Sequence, residues 1–114
     1  MAKVFRLADC RRRRTFVGFD RHELNLLLTL YSRRVARGEW RDYAIGHGDG
    51  KALFSVFHHA DDQPVFEIVK FAPGSDVRGD FMVSSGQRTV ERGRSLAEVL
   101  TVFDRQLQLV STGN

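Results

Sequence analysis

The side chains best equipped for chemistry gather between positions 47 and 62, where His47, Asp49, His58, His59, Asp61 and Asp62 offer imidazole and carboxylate groups. These are the ligand types that hold zinc or a similar ion. Their spacing works against one shared centre. His47 falls at the turn end of one strand and His58 at the far end of the next, roughly 20–25 Å away at a strand's rise per residue. Adjacent histidines in a strand point to opposite faces, which leaves only a local set of His58, His59, Asp61 and Asp62 as an alternative. The segment reads as a polar loop, and no metal is expected.

Other reactive groups lack context. The glycine-rich GHGDGK at residues 46–51 is one residue short of a phosphate loop, has Ala52 where Ser or Thr should stand, and leads into a strand rather than a helix. It reads as a hairpin turn. Cys10 beside Arg11 has the neighbour that favours thiolate but no histidine to work with. As the single cysteine it excludes an internal disulfide and a zinc cluster. Ser55, Ser84 and Ser85 sit in strands or turns without a nucleophile elbow, and Asp61 and Asp62 are loop neighbours rather than carboxylates opposed across a cleft. The balance is against an enzyme, and no cofactor is expected.

Binding residues are better represented. The segment GEWRDYAI, residues 38–45, holds Trp40, Arg41 and Tyr43, the residue types that dominate interface energetics. In a strand, Trp40, Asp42 and Ala44 would share one face and Arg41, Tyr43 and Ile45 the other. One reading makes Trp40 a structural anchor after a helix stop. The other makes Trp40, Arg41 and Tyr43 a partner-binding hot spot.

Charge offers a second candidate. The net charge is +4, yet residues 1–41 carry eleven basic groups against four acids, while residues 42–77 are net acidic. The peak is Arg11, Arg12, Arg13 and Arg14, whose guanidinium forks suit phosphate oxygens. With Arg33, Arg34 and Arg37 they form the alternative, nucleic-acid reading. Arginine outnumbers lysine fifteen to three, a bias that GC-rich coding produces without selection for binding. Aromatics interleaved with lysine in KALFSVF and VFEIVKF suggest an RNA-binding sheet, but that fold's glycine signature and βαββαβ order are missing.

The elements that must position these residues follow from periodicity. TFVGF, residues 15–19, reads as a short strand. Asp20 with Glu23 is a capping-box variant opening a helix with apolar residues at Leu24, Leu27, Leu28, Tyr31 and Val35, widened by Leu26 and Leu30. Gly38 is placed to end it. Strands follow at 40–45, 52–58 and 65–71, and a hairpin at 80–84 and 87–91 turns around Ser85-Gly86. Ser95 with Glu98 caps a second helix striped by Leu96, Val99, Leu100, Phe103 and Leu107.

The 114 residues, 42% hydrophobic and 28% charged, make one ordinary domain. The expected organisation is a basic arm at 1–14, a single α+β domain at 15–110, and a polar tail at 111–114. The sheet should be mostly antiparallel, of about five or six strands, with two amphipathic helices. The third strand puts Val65, Val69 and Phe71 opposite Phe66 and Ile68, and the second puts Leu53 and Phe57 opposite Phe54 and Val56, so neither sheet face is cleanly polar. A wrapped final hairpin or a second copy of the chain is expected over the second face, and a homodimer or another protein is the expected partner. No signal peptide or membrane span is apparent, and the expected location is cytoplasmic.

The run GEWRDYAI, together with FSVF at 54–57, Gly79 before an aromatic strand, Arg92-Gly93, Leu96 and Val99-Leu100, resembles a family of small alphaproteobacterial proteins classed as a domain of unknown function. The likeness covers roughly residues 16–110. It implies a bacterial source and carries no catalytic or ligand residue over. The expected function is a non-enzymatic binding or regulatory module acting through protein–protein contacts.

Overall fold

The computed structural model describes residues 16–59 and 63–113. Arg11 to Arg14, Cys10, Asp61 and Asp62 lie outside these residues. Along the chain run β1 (Phe16–Val17), α1 (Arg21–Ala36), β2 (Asp42–Asp49), β3 (Lys51–Phe57), β4 (Phe66–Phe71), β5 (Phe81–Ser85), β6 (Arg88–Gly93) and α2 (Leu96–Gly113). The strands form one antiparallel sheet in sequence order, β1 to β6. Among the described residues this is an α+β fold with six strands and two helices.

Local chemistry explains most boundaries. The Asp20 carboxylate accepts the Glu23 N–H and the Glu23 carboxylate accepts the Asp20 N–H, both at 2.8 Å, so both capping-box bonds form at the start of α1. Gly38, at φ 77°, follows the helix in the left-handed region. At α2 only half of the expected box forms. Ser95 Oγ accepts the Glu98 N–H, but the Glu98 carboxylate reaches past it to the Arg94 N–H. α2 also continues to Gly113, through residues expected as a tail.

The glycine-rich segment differs from expectation. Gly46 and Gly48 belong to β2, and the reversal is confined to Asp49-Gly50, with Gly50 at φ 82°. His47 pairs with Ala52, so the chain reverses within residues 48–51, and Gly50 supplies the one left-handed residue there. β2 is thereby longer than the sequence pattern implies.

Both helices lie on one face of the sheet. Tyr43, Phe54, Phe66 and Lys70 point to that face, as the strand register requires. Tyr43 meets Tyr31 of α1, Lys70 meets Glu23 of α1, and Phe66 meets Phe103 of α2. The core is the layer between, built on Leu27, Phe54, Ile68, Val83, Val99 and Phe103. The final hairpin continues the sheet in plane instead of wrapping over the second face. Leu53, Phe57, Phe71 and Met82 on that face are half-buried, and among the described residues no helix covers them.

Candidate functional site

α1 and α2 leave one strip of the sheet bare. Every residue from Arg41 to His47 is exposed, a run found in no other described strand. Tyr43 and Ile45 project to the helix side but remain 39% and 37% exposed, while α2 packs over β5 and β6. Phe16 of β1, 54% exposed, lies 6.2 Å ring to ring from His47. Val35 of α1, 41% exposed, is one helical turn beyond Tyr31, whose ring centre is 4.8 Å from that of Tyr43. Among the described residues, four of the five exposed large apolar side chains thus belong to one patch, and Val77 lies elsewhere.

The backbone beside this patch is also open. β1 pairs with Gly48 and Asp49 alone, so among the described residues Asp42 to His47 have a strand partner on the β3 side only. The Tyr43 N–H donates to the Asp42 carboxylate at 2.8 Å, a local substitute for a ladder bond. Burial pushes the Tyr31 hydroxyl above the ordinary tyrosine pKa, and the Asp42 carboxylate and Tyr43 add to the effect. An exposed strand edge flanked by apolar side chains supplies backbone donors and acceptors beside a hydrophobic seat.

The expected hot-spot residues do not form one surface. Trp40 is 2% exposed, and its ring packs against Tyr31, Phe66 and Phe103. It precedes β2 and turns to the helix side instead of sharing a face with Asp42 and Ala44, because the strand pattern begins only at Asp42. Arg41 and Tyr43 are exposed. Among the arginines of the alternative reading, Arg33 and Arg37 are exposed but Arg34 is buried. Arg34 forms an ion pair with Glu39, donates from Nη2 to the Phe103 carbonyl at 2.9 Å, and lies 5.4 Å from the Trp40 and Phe103 ring centres. That arginine joins α1 to α2 and has no free fork for a phosphate.

Residues 17–100 match the family model described as "Protein of unknown function (DUF2794)". The chain belongs to that family. No curated protein and no solved structure matches it. Within the family's span, residues that carry the sequence resemblance have structural roles here. Trp40, Phe54, Val56, Leu96 and Val99 are core. Gly79 and Gly93 touch backbone to backbone, since a Cβ on Gly79 would stand 2.1 Å from the Gly93 carbonyl oxygen. Arg92 donates to the Gly79 carbonyl and sits 4.3 Å over the Phe71 ring.

Two concavities compete with the strip. A surface cleft of about 410 Å³ lies by Gly74, Asp76, Asp80 and Arg94. Its acids are already engaged, Asp80 by the Gly74 N–H and Asp76 by Arg78 and Arg92. The Arg78 hydrogen bonds hold the Asp76 carboxyl well below the usual carboxylate range. A groove of about 270 Å³ between the helices is lined by Leu26, Leu30 and Leu100 with His22 and Arg33. Among the described residues no three His, Cys, Asp or Glu side chains gather to hold a metal ion. No helix of the described residues is long and apolar enough to cross a membrane.

Sequence reasoning singled out Tyr43 but not its exposed neighbours Phe16, Val35, Ile45 and His47. Val35 falls on the helical apolar stripe, and His47 falls within the expected turn. The available signal was the stretch Tyr43 to His47 itself, which has neither a charged residue nor proline.

Proposed function

We propose that this protein is a binding module, acting without catalysis, that takes an extended segment of a polypeptide onto the open edge of β2. The observation that carries this reading is the exposed run from Arg41 to His47, which has no strand partner on its outer side among the described residues. Main-chain hydrogen bonds to that edge would supply affinity, and Tyr43, Ile45, Phe16 and Val35 would receive alternate apolar side chains of the guest. Strand edges that are not meant to pair usually carry lysine, proline or a bulge, and Tyr43 to His47 has no lysine and no proline.

Random peptides selected for binding to the immobilised full chain test it. Enriched peptides should alternate apolar and polar residues, and Ile45→Lys and Tyr43→Lys should each weaken them at least tenfold. Arg33→Glu, on the far side of α1 from the strip, should leave them unchanged. Selected peptides that bind both lysine variants as well as the native chain would sink the reading.

A further inference from the structure

Resting on that reading, we infer that the strand added to β2 is β2 of a second copy, paired antiparallel about a twofold axis at Ala44. The two free edges of the sheet are built differently. β6 carries Arg88, Glu91 and Arg92, its pairing with β5 is broken by a register shift between Val83 and Ser84, and α2 packs against it. Charge, irregularity and cover are the devices that keep an edge from pairing. β2 has none of them between Tyr43 and His47.

The open stretch is also self-complementary. In a twofold antiparallel pair, opposed residues must share a face, so the centre falls on a residue and not between two. β1 occupies the edge from Gly48 onward, which limits the pairing to Arg41–His47 and puts its midpoint at Ala44. Tyr43 then stands opposite Ile45 of the partner subunit, twice over, an aromatic with a β-branched residue. Asp42 stands opposite the partner subunit's Gly46, so no acid faces an acid. Ala44 meets its own copy, and a methyl group there clears the contact. The Tyr43–Ile45 pairs lie on the helix side and enlarge the seat that Phe16 and Val35 already border. Two six-stranded sheets become one of twelve strands.

The test is a chain with Cys10→Ser and Ala44→Cys, oxidised at low protein concentration. Opposed residues of an antiparallel pair have Cα atoms about 4.5–5.5 Å apart, within reach of a disulfide. A covalent dimer should form through position 44, and Thr89→Cys on the β6 edge should give none. Sedimentation of the native chain should show a concentration-dependent dimer, with dissociation at least tenfold weaker in Ile45→Lys. Circular dichroism of Ile45→Lys should match native, because Ile45 is exposed. A native chain that stays monomeric, or a dimer that survives Ile45→Lys without cross-linking at 44, overturns the inference. So does a monomer whose β2 amides exchange slowly, since residues 1–15 or another segment would then hold the edge. A monomer that still binds selected peptides, and loses them on Ile45→Lys, overturns the twofold pairing alone. A native chain that neither binds selected peptides nor self-associates removes the strand-addition reading with it.

Discussion

Arg34 occupies a position that helical periodicity would give to an apolar residue, since Leu27, Leu30 and Arg34 form the buried row of α1. Its aliphatic stem packs in the core while its head spends its donors on Glu39 and the Phe103 carbonyl. A desolvated guanidinium is tolerated only when so matched. Replacing Arg34 by Met keeps much of the volume and removes both polar contacts, leaving the half-exposed Glu39 to water. Arg34→Met should therefore cost about 2 kcal/mol, read from the urea midpoint, and Glu39→Gln less than about 1 kcal/mol. Sequence alone grouped Arg34 with Arg33 and Arg37 as a phosphate-binding candidate, because a charged side chain among other arginines carries no mark of a partner sixty-nine residues away. For Trp40 the sequence left anchor and hot spot both open, and its burial in the structure decides for the anchor. A large ring after a helix stop has few exposed places to go.

At the scale of elements, the junction of the 72–80 loop, β6 and the start of α2 is fastened by contacts between glycines. Gly79 has φ 122°, and its α-carbon faces the Gly93 carbonyl with no room for a side chain. A Cβ on Gly93 would instead meet the Glu98 carboxylate at 2.9 Å and Val99 at 3.0 Å, both side-chain atoms able to shift. Gly79→Ala should cost about 3 kcal/mol or more, and Gly93→Ala about 1 kcal/mol. Thermal unfolding of the two variants beside the native chain checks the ranking. The glycines were visible in the sequence, as were the helix caps, since those are matters of local spacing. That Gly79 and Gly93 meet was not, because their approach is set by the path of β5 between them. The length of β2 was misjudged for a related reason. Three glycines look like a loop until β1 and β3 supply partners that hold two of them extended.

At the scale of the molecule, the described residues form a two-layer structure with an asymmetric sheet. Phe54 and Leu53 are neighbours in sequence and stand on opposite faces, one fully buried under the helices and one half-buried on the uncovered side. Phe54→Ala should cost about 3–5 kcal/mol and Leu53→Ala about 1 kcal/mol in chemical denaturation. Equal losses would mean that the second face is covered as completely as the first. The charge is divided as the sequence shows, but burial of Arg34 takes one cation out of the basic surface of α1.

From the sequence alone came the α+β class, the order of elements, the capping residues, the two-sided apolar pattern of β3 and β4, and the family resemblance. All of these depend on spacing within a dozen or so residues, where backbone geometry dictates which side chains share a face. Only the tertiary structure decided which strand the helices leave bare, which edge is open, and whether Trp40 and Arg34 face solvent or core. Those outcomes depend on how two helices of given length settle on a sheet wider than themselves. Tyr43 was therefore singled out from the sequence, and the exposed strip that surrounds it was not.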